Sequence, residues 1–143
     1  MKLLIEYAKT FLGINYLWGG NTPMGGMDCS GFIQEVLVSV NMDPPGRQNA
    51  QQLYDHFSMR AVSSGNMEAG ALVFYGKSRD EVSHVAMLIN PHQVIEAGGG
   101  GGNVRDVSSA IKEQAFIRIR PFGHRKDVID ILLPNYPDWV KNG

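Results

Sequence analysis

Apolar residues recur at helical spacing in the first part of the chain and at strand spacing in the second, and this change of period limits the possible folds. The helical period predicts helices over 2–12, from about Asp28 to Val40, and over 49–59. Short β-rich or alternating segments between turn residues then predict strands at 71–75, 83–89, 93–97 and 115–120. Helices that precede strands, rather than alternate with them, indicate an α+β fold with N-terminal helices packed on an antiparallel sheet.

The length of 143 residues suits a single domain, because two independent cores would be cramped in such a chain. Residues 121–143 carry prolines at 134 and 137, and we expect a C-terminal tail that packs over the core or docks on a partner. No run of about 18 apolar residues predicts a membrane span. The N-terminus lacks a signal-peptide cleavage site, so we expect synthesis in the cytoplasm without a leader.

Composition excludes several classes of function. The net charge of -1 predicts no binding of nucleic acid or of an anionic membrane surface. The single cysteine, Cys29, excludes an intramolecular disulfide and a zinc site built from several thiolates. The five glycines at 98–102 lack the Lys-Ser/Thr pair of a phosphate-binding loop and are expected to form a mobile loop at the rim of a cleft. A lone cysteine is by default a small buried apolar residue, so its neighbours decide its role.

The neighbours of Cys29 favour reactivity. Asp28-Cys29-Ser30-Gly31 lies where a glycine-rich loop meets a predicted helix, with Asp28 as its N-cap. The unpaired amides and the positive end of the helix dipole stabilise a thiolate there, and the same amides can bind a developing oxyanion. A buried structural cysteine requires none of this, so Cys29 is a candidate nucleophile.

Four histidines are candidates for the base that such a nucleophile needs. His84 begins the apolar strand 83–89, where it is either a catalytic base or a hydrogen-bonded core residue. His56 lies in a predicted helix among polar neighbours, His92 in a turn and His124 beside a glycine. We expect these three to be solvated, which leaves His84 as the candidate base.

Glu96 is the candidate for the group that orients the imidazole. It follows His84 by twelve residues, across a hairpin turn predicted at 90–92. An even spacing can place both side chains on one sheet face, within direct or diagonal reach. A carboxylate there would fix the tautomer and stabilise the imidazolium, whereas the alternative is a solvent-exposed strand glutamate.

Together these residues resemble the NlpC-type cell-wall cysteine peptidases, a family with a papain-like α+β fold. The similarity covers roughly residues 3–97 and consists of five motifs in the family's order. They are Tyr16-Leu17-Trp18-Gly19-Gly20, Asp28-Cys29-Ser30-Gly31-Phe32, the set Arg47, Asn49 and Gln52, the strand Gly70-Ala71-Leu72-Val73-Phe74, and Ser83-His84-Val85.

The resemblance implies a role for each matching residue. Cys29 would be the nucleophile, His84 the base and Glu96 the third polar residue, with Tyr16 beside the nucleophile to assist the oxyanion or the substrate. Further residues expected on the substrate and oxyanion side are Asp28, Ser30 and Trp18, although burial of the tryptophan is the alternative for Trp18. The chain departs from the family pattern at three positions: Glu96 replaces the common histidine, Asn49 a common serine and Ala71 the strand aspartate.

The resemblance further implies hydrolysis of a peptidoglycan stem peptide, at a bond after γ-linked D-glutamate, without a metal or an organic cofactor. The lack of a visible leader or wall-binding domain suggests a phage or mobile-element product, or an injected effector, whose partner would bind the C-terminal tail. Two other functions remain open: a non-catalytic phage tail or structural module, and an acyltransferase or amidase acting on a lipid or a small amide.

The helix N-terminus and the nearby base predict that Cys29 reacts as a thiolate in mildly acidic solution. The measurement is the rate of iodoacetamide alkylation between pH 4 and pH 9. A rate that rises only near pH 8.5, about where ordinary thiols ionise, would contradict an activated nucleophile.

Overall fold

The computed structural model describes residues 1–22, 26–98 and 107–143, in which helices pack on a six-stranded antiparallel sheet. The helices are α1 (Lys2–Lys9), α2 (Cys29–Val38), α3 (Ala50–Ser58), α4 (Val107–Lys112) and α5 (Asp138–Lys141). A small two-stranded sheet pairs β1 (Asn21–Thr22) with β2 (Gly26–Met27). The large sheet contains β3 (Ala61–Ser64), β4 (Leu72–Gly76), β5 (Val82–Asn90), β6 (Gln93–Gly98), β7 (Phe116–Pro121) and β8 (Val128–Pro134), in the spatial order β3-β8-β4-β5-β6-β7.

The predicted class and the main elements are confirmed. Helices come first and an antiparallel sheet follows, with the predicted hairpin turn joining β5 and β6. The first helix ends at Lys9 rather than at residue 12, because the chain then turns and the Gly13 amide donates to the carbonyl of Ile117 in β7. The glycine-rich loop that was predicted before Asp28 contains β1 and β2, which lie on either side of residues outside the described part of the chain. The glycine run at 98–102 also lies outside it, apart from Gly98.

The segment after Pro121 contributes a strand to the sheet, which goes beyond the expected tail. β8 lies between β3 and β4, with Leu132 paired to Leu72 of β4 and to Ser64 of β3. Its apolar residues alternate between the two sheet faces, since Leu132 joins the core under the helices while Ile131 packs on the other face. The prolines exclude a long helix but not a strand or the short α5, because Pro134 stands at the last strand position and Pro137 directly before α5.

The sheet has an apolar cluster on each face. The larger one lies between sheet and helices and is formed by α1, α2, α3 and strand residues such as Phe74, Val85 and Met87. The smaller one covers the opposite face with Ala71, Val73, Tyr75, Ala86, Leu88 and Val94. α2 and α3 both contact β5, so the loop–helix junction at Cys29 lies near the strand that carries His84. Within the described residues, the helices are too short or too polar to cross a membrane.

A core truncation tests the place of β8 in the sheet. Leu132 is 3% exposed, so Leu132→Ala should lower the free energy of unfolding by about 2–5 kcal/mol through the cavity that it leaves. Val38 at the end of α2 is 56% exposed, and Val38→Ala should change stability by no more than about 0.5 kcal/mol. Urea unfolding measures both variants, and equal small losses would contradict an integral β8.

Candidate active site

A cleft of about 830 Å³ contains the residues that the sequence selects. It lies where α2, α3, β5, β6 and the residues after β7 meet. Its walls are formed by Tyr16, Trp18, Gly19, Asp28, Cys29, Ser30, Asn49, Ala50, Gln51, Val82, Ser83, His84, Glu96, Ala97, Gly98, Arg118, His124 and Arg125. All seven predicted site residues are therefore gathered at one cleft, together with several polar residues that the sequence did not select.

Cys29 is the first residue of α2 and is partly exposed to the cleft. The first intrahelical hydrogen bond runs from the Phe32 amide to the Asp28 carbonyl, at 3.0 Å. The amides of Cys29 and Ser30 precede that bond, so the helix provides them no carbonyl partner. The thiol thus lies at the positive end of a ten-residue helix, where the dipole favours an anion.

The Asp28 carboxylate holds this junction together. One oxygen accepts the amide of Gly31 at 2.7 Å and the hydroxyl of Ser30 at 3.2 Å. The other oxygen accepts the amide of Gly19 at 3.1 Å and a guanidinium nitrogen of Arg47 at 2.9 Å. Asp28 and Ser30 both line the cleft. Their side chains are hydrogen-bonded within the turn before α2, and these bonds fix the position of Cys29.

Gly31 has no space for a side chain. A Cβ at this position would collide with the carbonyl oxygen of Gly20 and would press on Arg47 and the Asp28 carboxylate. The residue after Ser30 must therefore be glycine for the loop to approach α2 this closely.

His84 and Glu96 form a buried pair beside the nucleophile. The Nε2 atom of His84 lies 3.0 Å from the Oε1 atom of Glu96. Continuing the pairing of Leu88 with Val94 along both strands places Glu96 beside Ala86, diagonal to His84 on the same face. Because a carboxylate only accepts, His84 Nε2–H donates, and the other ring nitrogen, Nδ1, is available to the hydrogen bond that His84 makes with Cys29.

The charges of the site stabilise the protonated imidazole. Burial disfavours the charged ring, but hydrogen bonds and opposite charge from Cys29 and Glu96 outweigh it and raise the pKa of His84 to about 9. Burial would likewise raise the pKa of Glu96, yet the hydrogen bond and charge of His84, with the charges of His124 and Arg118, hold it below its usual value. An imidazolium and a carboxylate can therefore coexist in this buried pair, with Cys29 next to the ring.

Tyr16 and Trp18 flank the nucleophile from the loop between α1 and β1. The Tyr16 amide donates to the Ala115 carbonyl at 2.9 Å, which ties this loop to the edge of the sheet. Burial, with the nearby charges of Cys29 and Asp28, raises the pKa of Tyr16, so its phenol stays protonated and can donate. Trp18 is 54% exposed at the rim of the cleft, which excludes its burial in the core and agrees with a cleft-lining role.

Two residues of the motif Arg47, Asn49 and Gln52 form the N-terminal cap of α3. Asn49 caps the helix by accepting the Gln52 amide at 2.8 Å, and the Gln52 side chain accepts the Asn49 amide at 3.0 Å. Asparagine caps helices as well as serine does, so the departure from the family serine preserves this capping box. The neighbouring Gln51 accepts the Val82 amide at 2.7 Å and so ties α3 to the start of β5, two residues before His84.

His124 was expected to be solvated, but its side chain is largely buried beside Glu96. Its side chain is 11% exposed, and its Nε2 atom lies 3.4 Å from the Oε2 atom of Glu96. The short 3₁₀ helix Phe122–His124 follows β7 directly and folds the ring back over β6. Arg118 and Arg125 line the same wall of the cleft. No local sequence signal marked His124 or either arginine, because their approach to Glu96 depends on strand pairing and on the turn after β7.

In the described parts of the chain, no group of three or more His, Cys, Asp or Glu side chains could hold a metal ion.

The fold and the site define the class of the protein: an α+β domain of papain-like architecture, with cysteine, histidine and glutamate at one cleft. Comparison with known proteins identifies the family. The sequence model of the NlpC/P60 family matches residues 13–121, and the chain belongs to that family.

Similar proteins include bacterial cell-wall enzymes. The bifunctional muramidase/DL-endopeptidase CwlT of Bacillus subtilis is 27% identical over 76% of this chain and 32% of its own length. The gamma-D-glutamyl-L-lysine dipeptidyl-peptidase of Bacillus cereus is 32% identical over 66% of this chain and 27% of its own length. The chain thus spans about a third or less of these relatives.

Solved structures share the fold. An NlpC/P60 family protein from Bacillus cereus superimposes with a TM-score of 0.70 at 22% identity, over 94% of this chain and 39% of that protein. RipD of Mycobacterium tuberculosis superimposes with a TM-score of 0.68 at 18% identity, over 94% and 95% of the two chains. RipD is described as a non-catalytic NlpC/p60 domain protein adapted to peptidoglycan binding, so the fold by itself does not establish catalysis.

Glu96→Gln tests the electrostatic support of His84. The amide keeps the size and one acceptor but removes the opposite charge, so the pKa of His84 should fall from about 9 by about one unit or more. NMR titration of the ¹⁵N-labelled imidazole measures this change. Glu113→Gln is the matched control, because Glu113 is exposed after α4. An unchanged His84 titration in Glu96→Gln would mean that the carboxylate does not support the ring.

Proposed function

We propose that this protein is a cysteine peptidase or amidase that hydrolyses peptidoglycan stem peptides at the bond after γ-linked D-glutamate. The observation that carries the proposal is the row of Cys29, His84 and Glu96: the thiol lies at a helix N-terminus, and Nε2 of the buried His84 lies 3.0 Å from the buried Glu96. A cysteine that is only structural needs neither a base nor an orienting carboxylate.

In the first half of the reaction, Cys29 attacks the carbonyl carbon of the scissile amide. His84 takes the thiol proton, and the sulfur–carbon bond forms while the carbonyl oxygen becomes an oxyanion. His84 then returns the proton to the departing amine as the carbon–nitrogen bond breaks, which leaves a thioester on Cys29. Glu96 stays ionised and stabilises the imidazolium between these two transfers.

In the second half, water takes the place of the amine. The oxygen of the water attacks the thioester while His84 accepts a proton from the same water molecule. His84 returns this proton to the sulfur when the carboxylic acid product leaves. The amides of Cys29 and Ser30 and the phenol of Tyr16 are the donors available to the oxyanion, because they converge on the loop–helix junction.

The choice of bond rests on the named activities of relatives. One acts as a DL-endopeptidase, another is a gamma-D-glutamyl-L-lysine dipeptidyl-peptidase, and a third is the gamma-DL-glutamyl hydrolase of Bacillus subtilis. A cleft with Asn49, Gln51, Arg118 and Arg125 on its walls suits a polar, charged peptide.

The two arginines on the cleft wall, Arg118 and Arg125, favour a charged peptide over the lipid of the acyltransferase alternative. A non-catalytic binding module is the second alternative, and RipD is a precedent for it on this fold. The presence of all three residues of the Cys29–His84–Glu96 row favours turnover in this chain. The phage or effector origin, the partner of the C-terminal segment and the cytoplasmic synthesis stay predictions of the sequence.

Digestion of purified peptidoglycan tests the proposal. Mass spectrometry should find fragments newly ended at γ-linked D-glutamate, and Cys29→Ala should release none. His84→Ala should lower kcat/KM by about a thousandfold or more, on the scale of losses in catalytic triads.

His92→Ala is the matched control for the base, because His92 is exposed in the turn between β5 and β6. It should retain the wild-type rate. Release of the same fragments by Cys29→Ala would refute a cysteine mechanism, and intact peptidoglycan with the wild-type protein would favour a binding module.

A further inference from the structure

Glu96 contacts two imidazole rings, one at each carboxylate oxygen. Oε1 lies 3.0 Å from His84 and Oε2 lies 3.4 Å from His124. The carboxylate is 2% exposed, so solvent contributes little to its stabilisation. The reaction described above uses only the contact with His84 and leaves the second one without a role.

The other ring nitrogen of His124 has a hydrogen-bond partner of its own. Its Nδ1 atom lies 3.0 Å from the carbonyl oxygen of Pro121. A carbonyl oxygen only accepts, so Nδ1 carries a proton. With Nδ1 donating to Pro121, Nε2 can donate to an ionised Glu96 only if the ring carries a second proton, that is, as an imidazolium.

We infer that His124 is a positioning residue, which as an imidazolium binds the second oxygen of Glu96 and keeps this buried carboxylate ionised and directed at His84. The inference rests on the proposed cysteine-hydrolase function. It assigns His124 an action through Glu96 rather than on the substrate.

The surrounding charges leave this role to His124. Arg118 of β7 is paired with Glu96 across the two strands and contributes positive charge to it, but its Nε atom has no hydrogen-bond partner among the described residues. Arg125 is bound by both guanidinium contacts to Asp127, at 2.9 and 2.7 Å, and lies over the ring of Tyr75. The phenol of Tyr75 is buried beside the rings of His84 and His124 and has no partner within the part of the chain that the structure describes.

The need for a second cation arises during the reaction. While His84 is an imidazolium, Glu96 has one cationic partner regardless of His124. When His84 gives its proton to the leaving amine it becomes neutral, and the positive charges that remain to hold the buried Glu96 ionised include those of His124 and Arg118. His124 is the one of these two with a 3.4 Å contact to a carboxylate oxygen, so it supports the ionised Glu96 most directly while the charge of His84 is lost.

The test uses alkylation of Cys29, which requires no peptidoglycan. His124→Asn keeps a donor for the Pro121 carbonyl and removes the cation, whereas His124→Gln keeps a neutral donor toward Glu96. Without the cation the pKa of Glu96 rises, and the thiolate–imidazolium pair loses support at low pH. In both variants the acid limb of the iodoacetamide rate profile should therefore move to higher pH, by about half a unit to one unit.

Two comparisons separate this role from a structural one. His124→Lys restores a cation and should bring the acid limb back toward the wild-type position. In a Glu96→Gln background, His124→Asn should cause no further shift, because the carboxylate through which His124 acts has lost its charge. His92→Gln, in the exposed turn, should leave the profile unchanged, and circular dichroism verifies that each variant is folded.

The inference would be overturned if folded His124→Asn or His124→Gln kept the acid limb of the wild-type iodoacetamide rate profile. It would also be overturned if His124→Asn shifted the acid limb equally in the wild-type and the Glu96→Gln background. If one variant does not fold, the other and His124→Lys still give the comparison of neutral and charged residues. Failure of the proposed function is a separate result: the wild-type protein would then show this alkylation profile but would not cleave peptidoglycan.

Discussion

The capped N-terminus of α2 is the feature on which the rest of the site depends. A single carboxylate, Asp28, receives the amide of Gly31, the amide of Gly19 and the guanidinium of Arg47. It thereby fixes the helix, the preceding loop and the connector toward α3 in one arrangement. Without this cap the helix would lose about 1 kcal/mol, and Cys29 would lose its fixed position opposite His84.

The order of charges along the sheet gives Cys29 the neighbours that the proposed acyl transfer requires. A thiol, two imidazoles and a carboxylate come from four different segments, and each charged form has an opposite charge as its neighbour. Burial alone would neutralise Glu96 and His84, and the hydrogen bond between them, with the contributions of Cys29 to His84 and of His124 and Arg118 to Glu96, favours the ionised form of both.

The departures from the family pattern preserve physical roles while they change residue types. Asn49 closes the same kind of capping box that a serine would. Glu96 replaces a common histidine with a permanent acceptor, which supports the imidazolium more strongly and requires a counter-charge of its own. The turn after β7 places His124 at that carboxylate, so the substitution and its compensation lie in different parts of the chain.

The sequence alone determined what depends on local pattern. Periodicity predicted the helices and most strands, and the Asp-Cys-Ser-Gly junction placed Cys29 at the start of a helix. The even spacing of His84 and Glu96 on a hairpin predicted their contact, because short-range geometry fixes which residues share a face. Tertiary structure decided the rest. β8 enters between two earlier strands, and His124 reaches Glu96 only after β7 has paired with β6. Neither contact has a local signal, since each depends on packing between segments far apart in the chain.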